Sequence, residues 1–227
     1  MVTQTGKPGV AEVGRRYREI DPAETPSRRV YGLLTSVVVP RPIAWISSQS
    51  PDGVPNVAPH SYFTVLSHQP PQLGFVSVGE KDTLRNVRET GEYVINVAGE
   101  DLAERLNRTA ANFPPEESEF AWAGLTAEPA SKVRAPRVGE APASLEMRLT
   151  EIKPIGDCFL VIGEVVWVRI AEAVMRGDHV APDLLRALGR HAGPTFSRTV
   201  DLFDLQRPTY AGLLEEGAGP MEPATRT

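Results

Sequence analysis

Apolar and polar positions alternate along two long stretches in the last third of the chain. Over residues 143 to 152, Leu145, Met147 and Leu149 fall on one side and Glu146, Arg148 and Thr150 on the other. That period of two predicts a strand with one buried face. Residues 159 to 171 are nearly continuous in apolar residues, which predicts a central strand. Lys153-Pro154-Ile155-Gly156-Asp157 is read as the turn between them. Earlier, residues 43 to 48 and 54 to 58 flank Ser50-Pro51-Asp52-Gly53, a hairpin signal. Residues 72 to 78 and 93 to 98 are two further strands.

Helical spacing is sparser. Residues 81 to 90 read as a short helix with Leu84 and Val87 on one face, stopped by Gly91. Residues 101 to 111 read as a second helix, with Leu102 and Leu106 on its apolar face and Glu104 placed to pair with Arg108. Residues 182 to 188 form a third, with Pro182 near its start and Gly189 after its end. Residues 113 to 142 are loop-rich and long, which marks them as functional or subunit-facing. The tally is six or seven strands, mostly joined by hairpins, with two or three short helices. Helices are too few for alternating βαβ units, so the expected class is mainly β, a small antiparallel barrel with flanking helices. The expected organisation is an N-terminal arm at 1–28 with one helical turn near 13 to 20, a compact domain at 29–213, and a C-terminal tail at 214–227.

Composition narrows the function classes. A formal net charge of −5 and a pI near 5.5 argue against a nucleic-acid binder. The first ten residues lack the apolar core of a signal peptide, and no apolar run approaches the roughly 20 residues that span a bilayer. A single cysteine, Cys158, excludes an internal disulfide and a CxxC pair. These readings set a cytoplasmic expectation, without nucleic-acid or membrane partners. The 21 prolines confine many strands to edges, ends or bulges, which favours a barrel over a parallel sheet.

Polar residues carry the candidate chemistry. Ser47, Ser48, Asn56, His60 and Ser61 stand on or beside the first hairpin, where a core requires apolar residues. Such an excess suits a ligand with many hydrogen-bonding edges. Lys81-Asp82-Thr83 opens a helix, where free N–H groups and a partial positive charge suit a phosphate. There Lys81 adds a full charge and Thr83 a hydroxyl, while Asp82 is expected to cap the helix, with Arg85 and Arg88 balancing its charge. Gly74-Phe75-Val76-Ser77-Val78-Gly79 has one residue too many before Ser77 for a nucleophile elbow, so Ser77 is read as a strand-end hydroxyl. His60, His68, His179 and His191 lack metal-site spacing, and no metal is expected. His191 stands in the flexible Gly189-Arg190-His191-Ala192-Gly193-Pro194 segment. Arg41 and Trp45 are placed to stack or seal a pocket; the plainer reading is a surface arginine and a core aromatic, and it is the one taken for Trp45. GxGxxG and GxxxxGK[ST] are both absent, so a nicotinamide cofactor would dock transiently on an open pocket.

Together these segments resemble the flavin reductase-like, FMN-binding split-barrel family, in particular its flavoredoxin-type branch. The likeness rests on residues 40 to 48 (Pro-Arg-Pro-Ile-Ala-Trp-Ile-Ser-Ser) and 56 to 63 (Asn-Val-Ala-Pro-His-Ser-Tyr-Phe). It continues through Lys81-Asp82-Thr83 with Asn86, residues 89 to 97, Glu119-Phe120 with Ala123-Gly124-Leu125, and Gly163-Glu164-Val165-Val166. It covers roughly residues 30 to 210. The resemblance implies a Greek-key barrel of about six antiparallel strands, a homodimer, and FMN reduced by NADH or NADPH. It implies that Ser47, Ser48, Asn56, Ala58 and Ser61 line the isoalloxazine and ribityl chain, and that Ser77, Lys81 and Thr83 meet the phosphate. It brings Arg190 and His191 toward the flavin or nicotinamide, with His191 the candidate catalytic group and His60 and Asp82 beside the cofactor. The implied activity is an FMN-dependent NAD(P)H oxidoreductase that passes electrons to flavin, to a small acceptor or to a partner monooxygenase. The alternatives are a flavin redox carrier without nicotinamide turnover and a barrel repurposed for another biosynthetic ligand.

Overall fold

The structure is a computed structural model that describes residues 16–215 and 219–221. Its elements run α1 Ser27–Val37, β1 Arg41–Pro42, β2 Ala44–Gln49, β3 Pro55–His60, β4 Phe63–His68, β5 Pro71–Val78, α2 Asp82–Thr90 and β6 Glu92–Val97. A 3-10 turn, Glu100–Leu102, then leads into α3 Ala103–Arg108, α4 Glu119–Trp122, β7 Ala127–Glu128 and β8 Arg137–Val138. The two long strands β9 Ala143–Ile155 and β10 Cys158–Ile170 follow. After a second 3-10 turn, Glu172–Val174, come β11 Met175–Arg176, β12 His179–Val180, α5 Pro182–Leu185, β13 Leu188–Arg190, β14 Phe196–Arg198 and α6 Tyr210–Glu215.

Seven strands form one antiparallel sheet in the order β3-β2-β6-β9-β10-β5-β4. Its two edge strands, β3 and β4, are consecutive in the chain and joined only by Ser61 and Tyr62. A seven-stranded sheet brings its edges that close only by curling on itself. The edges do not pair, so the barrel is split. Tyr62 O accepts from Val76 N at 2.8 Å beside the split.

Alternation sorts the two faces of the curled sheet. Ala44 and Ile46 of β2, Leu73 and Phe75 of β5, Tyr93 and Ile95 of β6, Met147 and Val161 fill the interior. Trp45 and Val57 point the other way and pack with Leu102, Leu106, Phe120 and Val138 beneath α3 and α4. Helix α2 presents Leu84 and Val87, three apart, to the interior, where both are fully buried. Each such side chain contributes about 1.5–3 kcal/mol by leaving water. Gly91, at φ 71°, ends α2 as expected, its N–H donating to Val87 O at 2.9 Å.

Several expectations shift by a few residues. Strand β9 continues through Ile155, so the β9–β10 turn shrinks to Gly156 and Asp157, with Gly156 at φ +60°. The helix expected at 182 to 188 stops at Leu185, because Arg186 turns left-handed at φ 49° and Leu188 begins β13. Strand β4 was not anticipated, since Phe63–His68 is mostly exposed on both faces and carries no alternation. Of the helical turn expected near 13 to 20, residues 13 to 15 lie outside the described residues and 16 to 20 form no regular element. Most of the tail expected at 214 to 227 also lies outside them.

Tyr31–Leu202 is one compact unit. The flanking residues 1–30 and 203–227 group separately; within them the chain turns at Asp21, whose Oδ1 accepts from Ala23 N at 2.8 Å. No described helix is long and apolar enough to cross a membrane.

Candidate flavin cleft

Beside the split lies a cleft of about 690 Å³. Strand β3 supplies Asn56, Ala58 and His60, three alternate residues of one face. Strand β5 supplies Val76 and Val78. The start of α2 contributes Lys81, Asp82 and Thr83, and residues 109–113 with Pro115 and Glu119 form the opposite wall. Tyr31, Ser61, Tyr62 and Arg190 complete the lining, with Pro59 and Glu80.

Beneath this surface runs a buried polar network. Asn86 Nδ2 donates to Ser48 Oγ at 3.2 Å, and Ser48 Oγ donates to Asn56 Oδ1 at 3.2 Å. Thr83 Oγ1 donates to the same Asn56 Oδ1 at 3.0 Å. Asn56 Nδ2 donates to Glu119 Oε1 at 2.8 Å, and Val57 N donates to Glu119 Oε2 at 3.0 Å. Burial pushes the Glu119 carboxyl above its ordinary pKa, with the Asp82 charge acting the same way and the hydrogen bonds from Val57 and Asn56 opposing. These bonds fix β2, β3, α2 and α4 to one another and set the shape of the cleft.

A second network holds Ser47. Its hydroxyl donates to Pro136 O at 2.5 Å and accepts from Asn96 Nδ2 at 2.9 Å, while Asn96 Oδ1 accepts from Val138 N and Ser144 Oγ, each at 3.0 Å. Ser47 and Ser48 are both fully buried and do not line the cleft. Ser77 shares the face of Leu73 and Phe75, is fully buried, and donates to Gly79 O at 3.0 Å; its neighbours Val76 and Val78 line the cleft instead. Ser47 and Ser77 stand on the faces opposite Asn56 and Val76, whereas Ser48 shares the face of Asn56 and is covered by Asn56 and Asn86.

His60 is 9% exposed, and its Nε2 is buried without a partner. Burial lowers its pKa to about 4, the Val76 carbonyl 3.4 Å from Nδ1 opposes this, and the Lys81 charge adds to the lowering. The ring is therefore neutral near pH 7.

Lys81 is the N-cap of α2, and no side chain caps that end. Asp82 is not the expected cap: it is the first helical residue, and its carboxylate pairs with Arg85, while Arg88 pairs with Glu80. The first-turn N–H groups of α2 thus keep their free donors beside the Lys81 ammonium. Thr83, 2% exposed, commits its proton to Asn56.

Of the two readings of Arg41, the surface one fails. It is 7% exposed rather than a surface residue, and it donates to Thr35 O at 2.7 Å, Val38 O at 2.8 Å and His191 O at 3.0 Å. Trp45 is the expected core aromatic, and its Nε1 donates to Thr109 Oγ1 at 2.9 Å, anchoring the wall at 109–113. His191 lies outside the cleft lining, with Nε2 buried and unpartnered. Among the described residues no group of three or more His, Cys, Asp or Glu could hold a metal ion.

Sequence reasoning missed Glu119's structural role, the Tyr31 and Tyr62 edge, and the wall at 109–113. Glu119 does carry a signal, as an acidic residue opening a short helix in a loop-rich segment. The wall carries none, because its polar residues follow a helix end as surface residues do.

The comparisons with known proteins agree with this architecture. Residues 36–185 match the flavin reductase like domain model, and the chain belongs to that family. Nitrilotriacetate monooxygenase component B from Bacillus cereus is 33% identical with a TM-score of 0.80, over 84% of this chain and 100% of that one. The 2-nitrobenzoate 2-nitroreductase of Pseudomonas fluorescens is 31% identical with a TM-score of 0.79, over 85% of this chain and 98% of that one. A split-barrel protein assigned as a flavin reductase, from Shewanella frigidimarina, is 25% identical with a TM-score of 0.73, over 83% of this chain and 95% of that one.

Proposed function

We propose that the protein is an FMN-dependent NAD(P)H oxidoreductase that delivers electrons to flavin or to a small acceptor. The observation that carries this reading is the uncapped start of α2, with Lys81, opening onto a cleft whose lining mixes apolar Ala58, Pro59, Val76, Val78 and Phe113 with polar Asn56, Ser61, Tyr62, Thr109 and Asn112. A cleft with apolar patches for a ring, polar groups for its hydrogen-bonding edge and a phosphate-seeking end fits a flavin mononucleotide. His60 lines the same cleft, with a buried Nε2 that no described group satisfies.

Flavin supplies the hydride and electron chemistry when bound, so the chain needs no nucleophile of its own. The N–H groups of Thr83 and Leu84 and the Lys81 ammonium would hold the phosphate. Arg85 neutralises Asp82 and removes its repulsion from that end. Asn56 and Glu119 keep β3 and the far wall at fixed separation, and the apolar residues exclude water. Neutral His60 adds no charge to the ring's surroundings at pH 7. Similarity to a monooxygenase component supports a partner monooxygenase as the electron sink, and the resemblance of the chain supports a homodimer working in the cytoplasm.

The test is direct. The purified protein is titrated with FMN and FAD, then mixed anaerobically with NADH and with NADPH while flavin absorbance is followed. Tighter binding of FMN and bleaching at catalytic rates are expected. Absence of flavin binding would overturn the reading, and bound flavin that nicotinamide does not bleach would leave a redox carrier in its place.

A further inference from the structure

Arg190 lines the cleft, and no described carboxylate neutralises its guanidinium. Its Nη1 is buried and unpartnered, and among the described residues it has no ion-pair partner. Its guanidinium lies 4.4 Å from the Phe196 ring centroid, which fixes its plane. Strand pairing sets Arg41 directly opposite Arg190. Arg41 bonds only to carbonyls and also has no carboxylate partner among the described residues. Two arginines thus stand together with no acid between them, and burial with the Arg41 charge lowers the Arg190 pKa while Tyr31 opposes. A desolvated cation without a counter-charge is costly, and an incoming anion removes that cost.

This cation is separate from the one at α2. Arg190 belongs to β13 in the sheet β1-β13-β14, where it stands opposite Arg41, whereas Lys81 caps α2 between β5 and β6 of the seven-stranded sheet. The cleft therefore carries two anion-seeking places, and a mononucleotide flavin has one phosphate. Resting on the flavin reading of the cleft, we propose that Arg190 anchors an oxyanion of the second substrate. The group is a phosphate of the nicotinamide dinucleotide or the carboxylate of an aromatic acceptor, and Arg190 selects substrates that carry it.

The test compares the full-length protein with Arg190→Gln and Arg190→Lys. Binding of NADPH, NADH and benzoate is measured by calorimetry, FMN binding by fluorescence, and folding by thermal melt. Arg190→Gln is expected to weaken at least one of the three probes about tenfold or more, the worth of a charge-assisted hydrogen bond, while FMN affinity moves less than about twofold. Arg190→Lys is expected to recover part of the loss and guards against a folding defect. A loss confined to NADPH places its extra phosphate at Arg190, equal losses for both dinucleotides place the pyrophosphate there, and a loss confined to benzoate places the acceptor. The proposal is overturned if the wild type binds none of the probes or if Arg190→Gln leaves all three unchanged. It is equally overturned if FMN weakens by the same factor, since Arg190 would then serve the flavin. Failure of FMN to bind the wild type, with probe binding still dependent on Arg190, would sink the flavin reading alone.

Discussion

Asn56 Nδ2 donates to Glu119 Oε1 at 2.8 Å, so a strand-edge amide and a carboxylate 63 residues later form one bond across the end of the cleft. Replacing Glu119 by Ala strands two buried donors, Asn56 Nδ2 and Val57 N. The expected loss is roughly 2–5 kcal/mol in urea unfolding, with Glu119→Gln keeping one acceptor and losing less. The carboxyl has a raised pKa when folded, so the native state holds its proton longer than the unfolded chain. That contribution to stability falls as pH rises above the ordinary value of 4.5, and Glu119→Gln should remove this slope. An unchanged slope would show that Glu119 is not the titrating group.

His60 acts in the opposite sense. Its folded pKa of about 4 lies below the ordinary 6.5, so the unfolded chain takes the proton first as pH falls. The contribution is fully present above pH 6.5 and is lost through the window down to about 4. It amounts to on the order of 3 kcal/mol. His60→Gln should therefore show a smaller drop in melting temperature than the wild type between neutral and acid pH. Equal drops would mean that burial of the ring does not govern acid sensitivity.

Gly163 passes directly over Tyr93. A Cβ there would collide with the Tyr93 hydroxyl and stand 2.9 Å from its Cζ and 3.0 Å from Arg148 O. Gly163→Ala should cost about 1–3 kcal/mol as overpacking. The Tyr93 hydroxyl is buried without a partner, and burial pushes its pKa up. Tyr93→Phe should accordingly be tolerated and relieve part of the Gly163→Ala penalty. A double-mutant cycle on unfolding free energies measures the coupling, and strict additivity would refute the contact.

If the start of α2 holds the FMN phosphate as proposed, Lys81→Ala combined with Thr83→Ala weakens FMN binding about tenfold or more. Lys81 supplies charge, and Thr83 holds Asn56 Oδ1 and with it the cleft-side edge of β3. Thr83→Ser, which keeps the hydroxyl, should retain most of the affinity. Flavin fluorescence titration reads both, and unchanged affinity in the double variant would remove the phosphate from α2.

The sequence made the frame legible where periodicity was strong. The alternation at Leu145, Met147 and Leu149 became β9, the apolar run became the interior strand β10, and Gly91 stopped α2. Strand β4 escaped because an edge strand exposed on both faces leaves no pattern. At the cleft, residue types were legible but their direction was not. Asn56, Ala58 and His60 line the cleft, while Ser47, Ser48 and Ser77 are fully buried and bond within the frame. A serine on a strand looks the same in sequence whether it meets ligand or a buried carbonyl. Only the groups packed over it, as Asn86 and Asn56 are over Ser48, separate the two.

The strand order also governs when the cleft can exist. Strand β5 reaches β6 through the sheet only by way of β9 and β10, and Cys158 pairs with Val78, 80 positions earlier. A nascent chain that has just released Phe113 from the ribosome already carries all but three of the lining residues, Pro115, Glu119 and Arg190. It lacks the two strands that hold β3 and β5 in one sheet. The cleft therefore takes shape only after the last long hairpin has emerged.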